Sequence, residues 1–90
     1  MVYLLHFETK FHHAQHYLGY TESEATLPKR LQHHRDGSGA RLMGVVTRAG
    51  IAWQVARKWP EGDRFLERRL KNWHKSSELC PICMKERGMQ

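Results

Sequence analysis

Acidic residues are scarce in this sequence: nine Asp and Glu stand against fifteen Lys and Arg, which leaves a formal net charge of +6 and a pI of about 9.8. Cysteine is also rare, with two residues, and no apolar run approaches the ~20 residues that a membrane-spanning helix needs. Charges at Glu8 and Lys10 come too early for the apolar region of a secretory signal. These absences argue against a membrane or secreted protein and predict one in the reducing cytoplasm.

The length of the chain limits the kind of site that it can build. We expect the 90 residues to form one domain, residues 1–90, and a chain of this size buries only about 60–65% of its unfolded surface around one small core. A shallow cleft is therefore expected, which suits a long polymeric substrate better than a buried metabolite. The basic charge balance is typical of nucleic-acid-binding domains, although basic surfaces can also serve only solubility.

Residue patterns in the first half predict two strands and a helix. Residues 2–7 and 16–21 are rich in β-forming side chains and predict strands, with an outward-reaching basic loop at 8–15 between them. Thr26 is a suitable N-cap and Pro28 fits a first turn, so we expect a helix that runs through Arg35 and ends at 36–39.

The second half predicts a further helix, a strand and a third helix. Residues 40–48 have a helical apolar pattern, and residues 51–59 alternate as a strand does. Asp63 is the expected N-cap of the third helix, with Leu66, Leu70 and Trp73 on its core side. The predicted fold is α/β (α+β), in the order β-β-α-α-β-α, with a core over about 2–73 and a cysteine-containing tail at 74–90.

Five side chains along this order carry groups that suit phosphodiester cleavage: Tyr3, Tyr17, Arg30, His34 and Glu67. A phenol near a phosphate can relay a proton, an arginine can hold the nonbridging oxygens, and a carboxylate can hold a hard divalent cation. Each also has an ordinary explanation. Strand tyrosines usually pack, and Arg30 with His34 could form a solvated stripe on one helical face.

Taken together, the order of these residues resembles the GIY-YIG nuclease family over residues 2–72. In that family one tyrosine lies in the first strand and another begins a Tyr-x-Gly segment in the second strand. An arginine, with a His or Tyr four residues later, lies on the next helix, and a metal-binding glutamate lies on a later helix. The matching positions here are Tyr3, Tyr17 with Gly19, Arg30, His34 and Glu67.

The resemblance implies a three-stranded antiparallel sheet and metal-dependent hydrolysis of DNA, with one Mg²⁺ or Mn²⁺ ion held by Glu67. Arg30 would grip the phosphate, and His34 would take or orient a tyrosine proton. Either Tyr3 or Tyr17 would help to deprotonate water, for which nearby cations must lower the ordinary phenol pKa of about 10. No separate recognition domain is evident, so we expect low sequence specificity, structure specificity, or a partner protein that supplies targeting.

A basic face is expected to contact the DNA backbone around this site. Its predicted members are Gly19, Lys10, Lys29, His33, Arg35, Arg68, Lys71 and Asn72. Asn72 is the only asparagine after Glu67 and lies closer to it than is usual in the family.

The tail contains a Cys-Pro-Ile-Cys segment, in which Cys80 and Cys83 would supply half of a tetrahedral zinc site. The other half would come from histidines, with His6, His13, His16 and His74 as candidates, and a His-x-x-His pair at His13 and His16 would join the tail to the hairpin. Redox-active or otherwise metal-independent thiols are the alternative. No βαβ pattern of a thioredoxin-like fold surrounds the motif.

Two other functions fit the same features. One is a nucleic-acid-binding module without catalysis, and the other is a small zinc-stabilised interaction domain centred on the tail. A pure binder has no need of a carboxylate in a phosphate-facing basic cleft, so the combination of Arg30 and Glu67 favours the nuclease.

Overall fold

A three-stranded antiparallel sheet forms the centre of the molecule in the computed structural model, which describes residues 1–88. β1 (Val2–Phe11) is the middle strand and pairs with β2 (Ala14–Tyr20) on one side and β3 (Trp53–Trp59) on the other. The predicted α+β class and three-stranded antiparallel sheet are confirmed.

The helices follow the strands in the predicted order, and their ends are set by the expected capping residues. Gly37, at φ 83°, ends the first helix, and the Asp63 carboxylate accepts a hydrogen bond of 2.9 Å from the Leu66 backbone N–H at the start of the third. The elements are a 3₁₀ turn (Glu24–Thr26), α1 (Leu27–Asp36), α2 (Arg41–Arg48), α3 (Arg64–Trp73), α4 (Ser76–Leu79) and α5 (Pro81–Gly88).

β1 is buried on both of its faces, because alternate side chains of a strand point to opposite sides of the sheet. Tyr3, Leu5 and Phe7 pack in a core with residues of α1 and α2. Val2 and Leu4 pack on the opposite face in a second core, whose other buried members are Leu18, Leu70, Cys80 and Cys83. The sheet therefore separates two small cores, and each can carry its own site.

Two expectations about the elements are wrong in detail. Residues 8–15 do not form an open loop, because β1 and β2 run on as a hairpin and turn at His12 and His13, with His12 at φ 57°. Trp73 does not face the core, since 57% of it is exposed. The tail, for which no element was predicted, forms α4 and α5, and Cys80 and Cys83 pack on the sheet.

Within residues 1–88, no helix combines the length and the apolar character needed to cross a membrane.

Candidate functional site

A buried hydrogen bond joins Tyr3 of β1 to His34 of α1. The Tyr3 hydroxyl and His34 Nε2 lie 2.8 Å apart, and neither side chain is exposed to solvent. Two predicted site residues that are 31 positions apart in the chain are thus brought into direct contact.

The surroundings of His34 determine its protonation. Burial first, and then the charges of Arg30 and His33, lower the pKa of His34 to about 4. His34 Nδ1 is buried and has no hydrogen-bond partner within residues 1–88, so a proton there would be an unpaired buried donor. This favours the neutral tautomer in which Nε2–H donates to the Tyr3 oxygen.

Tyr3 is held in its protonated form. Burial raises the pKa of Tyr3 to about 12, against a smaller lowering effect of Arg30. The expectation that nearby cations would lower the pKa of this phenol is therefore wrong for Tyr3, because desolvation outweighs the charge of the guanidinium.

Gly19 provides space for the phenol rings. It pairs with Tyr3 across the β1–β2 ladder, and a Cβ atom at this position would lie 2.4 Å from the Tyr3 ring and hydroxyl and 2.8 Å from Tyr17. Gly19 is buried. Gly19 has a structural role, since only a residue without a side chain lets both rings lie at these positions, and its predicted contact with DNA stays a prediction.

Beside this pair, a surface cleft of about 280 Å³ brings together Tyr17 of β2, Arg30 of α1 and Glu67 of α3. The Tyr17 ring lies 5.3 Å from the His34 ring and 6.3 Å from the Tyr3 ring, measured between centroids. The five predicted catalytic residues thus lie together around one cleft and the hydrogen bond beside it.

Cations surround the phenols of the cleft. The Tyr3 hydroxyl, as a hydrogen-bond acceptor, raises the pKa of Arg30. Lys71 Nζ lies 5.8 Å from the centroid of the Tyr17 ring and 3.3 Å from a carboxylate oxygen of Glu67. The cleft therefore combines a fixed positive charge, a phenol and a carboxylate, which can bind a phosphodiester and act on a water molecule near it.

Sequence reasoning missed two charged residues of the cleft, Glu22 and Arg64. Glu22 lies two residues after the end of β2, and Arg64 lies over the Tyr20 ring at 4.6 Å. The spacing of Arg64 and Glu67, one helical turn apart on α3, is the signal that could have placed Arg64 near the site.

The predicted DNA-contacting side chains are spread over the surface of the molecule and do not gather around one cleft. Lys29 and His33 line a groove of about 270 Å³ that shares Arg30 with the site. Arg35 lies over the Trp53 ring at 4.9 Å. Lys10 lines a groove near the hairpin turn, and Arg68 and Asn72 lie on the outer face of α3. Lys71 lies beside the cleft, against Glu67 and the Tyr17 ring.

A second cluster lies on the opposite face of the sheet, where His6, His16, Cys80 and Cys83 bring their donor atoms within 4.8 Å of one another. Burial, and then the nearby His6, lower the pKa of His16 to about 4, so the imidazole is neutral and offers a lone pair. Two imidazoles and two thiols could hold a metal ion. They suit zinc rather than magnesium, which prefers oxygen ligands.

The histidine partners of the cysteines differ from the predicted pair in one residue. His16 is present, but His6 stands where His13 was expected, because His6 and His16 are directly opposite in the β1–β2 ladder. His13 is exposed in the hairpin turn, and His74 is exposed at the end of α3. In the β1–β2 ladder the numbers of paired residues sum to 22, as for Val2 with Tyr20. The same register pairs His16 with His6, which is the signal that would have selected His6.

No family model matches the chain, and the searches of curated proteins and of solved structures give no match either.

Proposed function

We propose that this protein is a metal-dependent endonuclease of the GIY-YIG type that hydrolyses phosphodiester bonds of DNA. The observation that carries the proposal is the meeting of Tyr17, Arg30 and Glu67 at one cleft, beside the hydrogen-bonded Tyr3 and His34. These residues come from two strands and two helices, so their convergence is a property of the fold and not of one local segment.

Arg30 binds the scissile phosphate in this proposal. Arg30 lines the cleft, and its Nε is buried without a hydrogen-bond partner in the part of the chain that the structure describes. A guanidinium can donate two parallel hydrogen bonds to phosphate oxygens. The net charge of +6 favours the approach of the polyanion.

Tyr17 is the phenol that acts on the attacking water. It lines the cleft, whereas Tyr3 is fully buried. The positive charges of Arg30 and Lys71 stabilise negative charge that develops at this ring.

Tyr3 and His34 position the site rather than take up the proton. At neutral pH Tyr3 keeps its proton because burial raises its pKa to about 12, and His34 is neutral because burial lowers its pKa to about 4. Tyr3 can therefore donate a hydrogen bond towards the cleft while its oxygen accepts one from His34.

Glu67 is the residue that would hold a single Mg²⁺ or Mn²⁺ ion. The side chains of the cleft offer carboxylate and phenol oxygens, which fit a hard cation. One carboxylate oxygen of Glu67 lies 3.3 Å from Lys71 Nζ, and the other carboxylate oxygen remains for a metal. Such an ion supplies charge stabilisation for the leaving 3′ oxygen.

Glu67→Gln is the direct test. It keeps the shape of the side chain and removes the charge, so we expect cleavage of branched, nicked and linear DNA to be lost in Mg²⁺ and in Mn²⁺, with DNA affinity unchanged or higher. Arg30→Ala should lose cleavage and part of the binding together.

Glu24→Gln is the matched control, because Glu24 also pairs with a lysine, Lys58, but does not line the cleft. It should cleave at the rate of the parent. A Glu67→Gln protein that cleaves as fast as the parent at all metal concentrations would refute the catalytic assignment.

A nucleic-acid-binding module without catalysis is the second candidate, and the outer face of α3 favours it. Phe65 is 81% exposed and Trp73 57% exposed, and Arg68, Arg69 and Asn72 line the same groove. Exposed aromatic rings among arginines are a platform on which bases can stack. Binding by the parent protein without any cleavage of the three DNA forms would select this function.

A further inference from the structure

We propose that His6, His16, Cys80 and Cys83 form a structural zinc site that fixes the C-terminal helices to the sheet. The site lies on the face of β1 opposite to Tyr3 and does not depend on the nuclease proposal. It differs from a His-x-x-His site in the hairpin turn, because both histidines come from the paired strands.

The spacing of the donor atoms fits a tetrahedral ion. With Zn–S near 2.3 Å and Zn–N near 2.05 Å, the ligand atoms of such a site lie about 3.3 Å apart for N and N and about 3.6 Å apart for N and S. His6 Nδ1 lies 3.4 Å from His16 Nε2, 3.4 Å from Cys80 Sγ and 3.6 Å from Cys83 Sγ. His16 Nε2 lies 3.3 Å from Cys83 Sγ. Four of the donor–donor distances that a tetrahedral site requires are therefore present in the structure.

The donor set is complete without an outside ligand, which is typical of structural zinc sites and not of catalytic ones. Two cysteines separated by two residues and two histidines give the Cys₂His₂ composition. Cys80 is fully buried, Cys83 is 8% exposed and His6 is 4% exposed. His16 is half-buried. With four protein donors, no coordination position remains for water or a substrate.

The elements that carry the cysteines need such a constraint. α4 has four residues and α5 has eight, and helices this short are not stable on their own in water. Cys80 lies between them, and Cys83 lies in the first turn of α5. An ion shared with β1 and β2 would hold this segment over Val2, Leu4 and Leu18 and keep that core covered.

The test is the metal content of protein made without a histidine tag in zinc-supplemented medium. We expect one zinc ion per chain by inductively coupled plasma mass spectrometry and by native mass spectrometry. Removal of the ion with a chelator should lower Tm and reduce the far-ultraviolet helical signal, and added Zn²⁺ should restore both. Co²⁺ added to the metal-free protein should give the visible bands of a tetrahedral thiolate site.

Variants identify the ligands. Cys83→Ser and His6→Asn should each reduce the zinc content at least tenfold, whereas His13→Ala and His74→Ala, the exposed histidines nearby, should keep one ion. If a ligand variant fails to fold, the Co²⁺ spectrum of the parent still decides the question. Parent protein that takes up neither Zn²⁺ nor Co²⁺, that carries a Cys80–Cys83 disulfide as purified, or that loses its metal only with His13→Ala would overturn the proposal.

Discussion

Replacement of His34 by glutamine should make the protein less sensitive to acid, because His34 is a fully buried imidazole that is hydrogen-bonded to Tyr3. In the unfolded chain a histidine takes up a proton near its ordinary pKa of 6.5, whereas burial holds the pKa of folded His34 near 4. The unfolded state therefore binds more protons between these two values. The contribution to stability is fully present above pH 6.5 and is lost as the pH falls towards 4.

The size of the effect follows from these two pKa values. Linkage gives a loss of about 2 kcal/mol between pH 7 and pH 5 and about 3 kcal/mol in total by pH 4. Glutamine does not titrate and can either donate to the Tyr3 hydroxyl or accept from it, so His34→Gln keeps a partner for that group. At pH 7 the variant should be less stable than the parent or equal to it, and at pH 5 the difference should move by about 2 kcal/mol in favour of the variant.

Urea unfolding at several pH values between 7 and 4.5, with zinc present in all samples, would measure the effect. For a small protein with an m value of about 1–3 kcal/mol per M, the two midpoints should move relative to each other by roughly 1–2 M. Other titrating groups, His16 among them, act on both proteins and cancel in the difference. A difference in unfolding free energy that is the same at every pH would refute the inference that His34 is kept neutral by its surroundings.

Two further predictions concern Gly19 and Trp73. Gly19→Ala should destabilise the fold by about 1–3 kcal/mol by overpacking, since its Cβ would lie 2.4 Å from Tyr3, whereas Gly44→Ala in α2, whose nearest new contact is 3.5 Å, should be neutral or stabilising in thermal unfolding. A Gly19→Ala protein as stable as the parent would contradict the packing described for Tyr3. Trp73→Ala should leave Tm nearly unchanged because the side chain is 57% exposed, yet weaken binding of single-stranded DNA by about 1–3 kcal/mol in fluorescence anisotropy, with Met84→Ala in α5 as the control. The DNA affinity of the parent and of Trp73→Ala should also fall steeply from low to physiological salt, and a DNA affinity that is independent of salt would exclude the phosphate contacts.

Local signals made the order of elements predictable. Gly37 at the end of α1 and Asp63 at the start of α3 cap these helices as expected, since caps act within a few residues of the chain. Thr26 lies at the start of α1 as expected, but its side chain makes no capping hydrogen bond. The extension of β1 to Phe11 was not predictable in this way. Glu8 and Lys10 are exposed and poor strand formers, and their extended conformation comes from the hairpin that continues past the core.

The site depended more on contacts between distant parts of the chain. The resemblance selected Tyr3, Tyr17, Arg30, His34 and Glu67, and the structure brings them together, but the burial that keeps Tyr3 protonated is a property of the packed core. His6 was named among the candidate histidines, but His13 was preferred as the partner of His16, because the choice between the two depends on strand register. Trp73 was placed inside because the apolar periodicity of α3 does not show where the neighbouring surface ends.

The alternation of β1 also limits how its length can change during evolution. Tyr3 and His6 are an odd number of positions apart, so they point to opposite faces, one to the phenol pair and the other to the thiols. Insertion or deletion of a single residue between them would turn both side chains to the same face of the sheet and would disrupt both sites at once. Insertion or deletion of two residues would preserve the orientation of both side chains, and a substitution at one site would leave the other site unchanged. The spacing of three residues in this strand therefore links the geometry of two separate sites, although each residue belongs to only one of them.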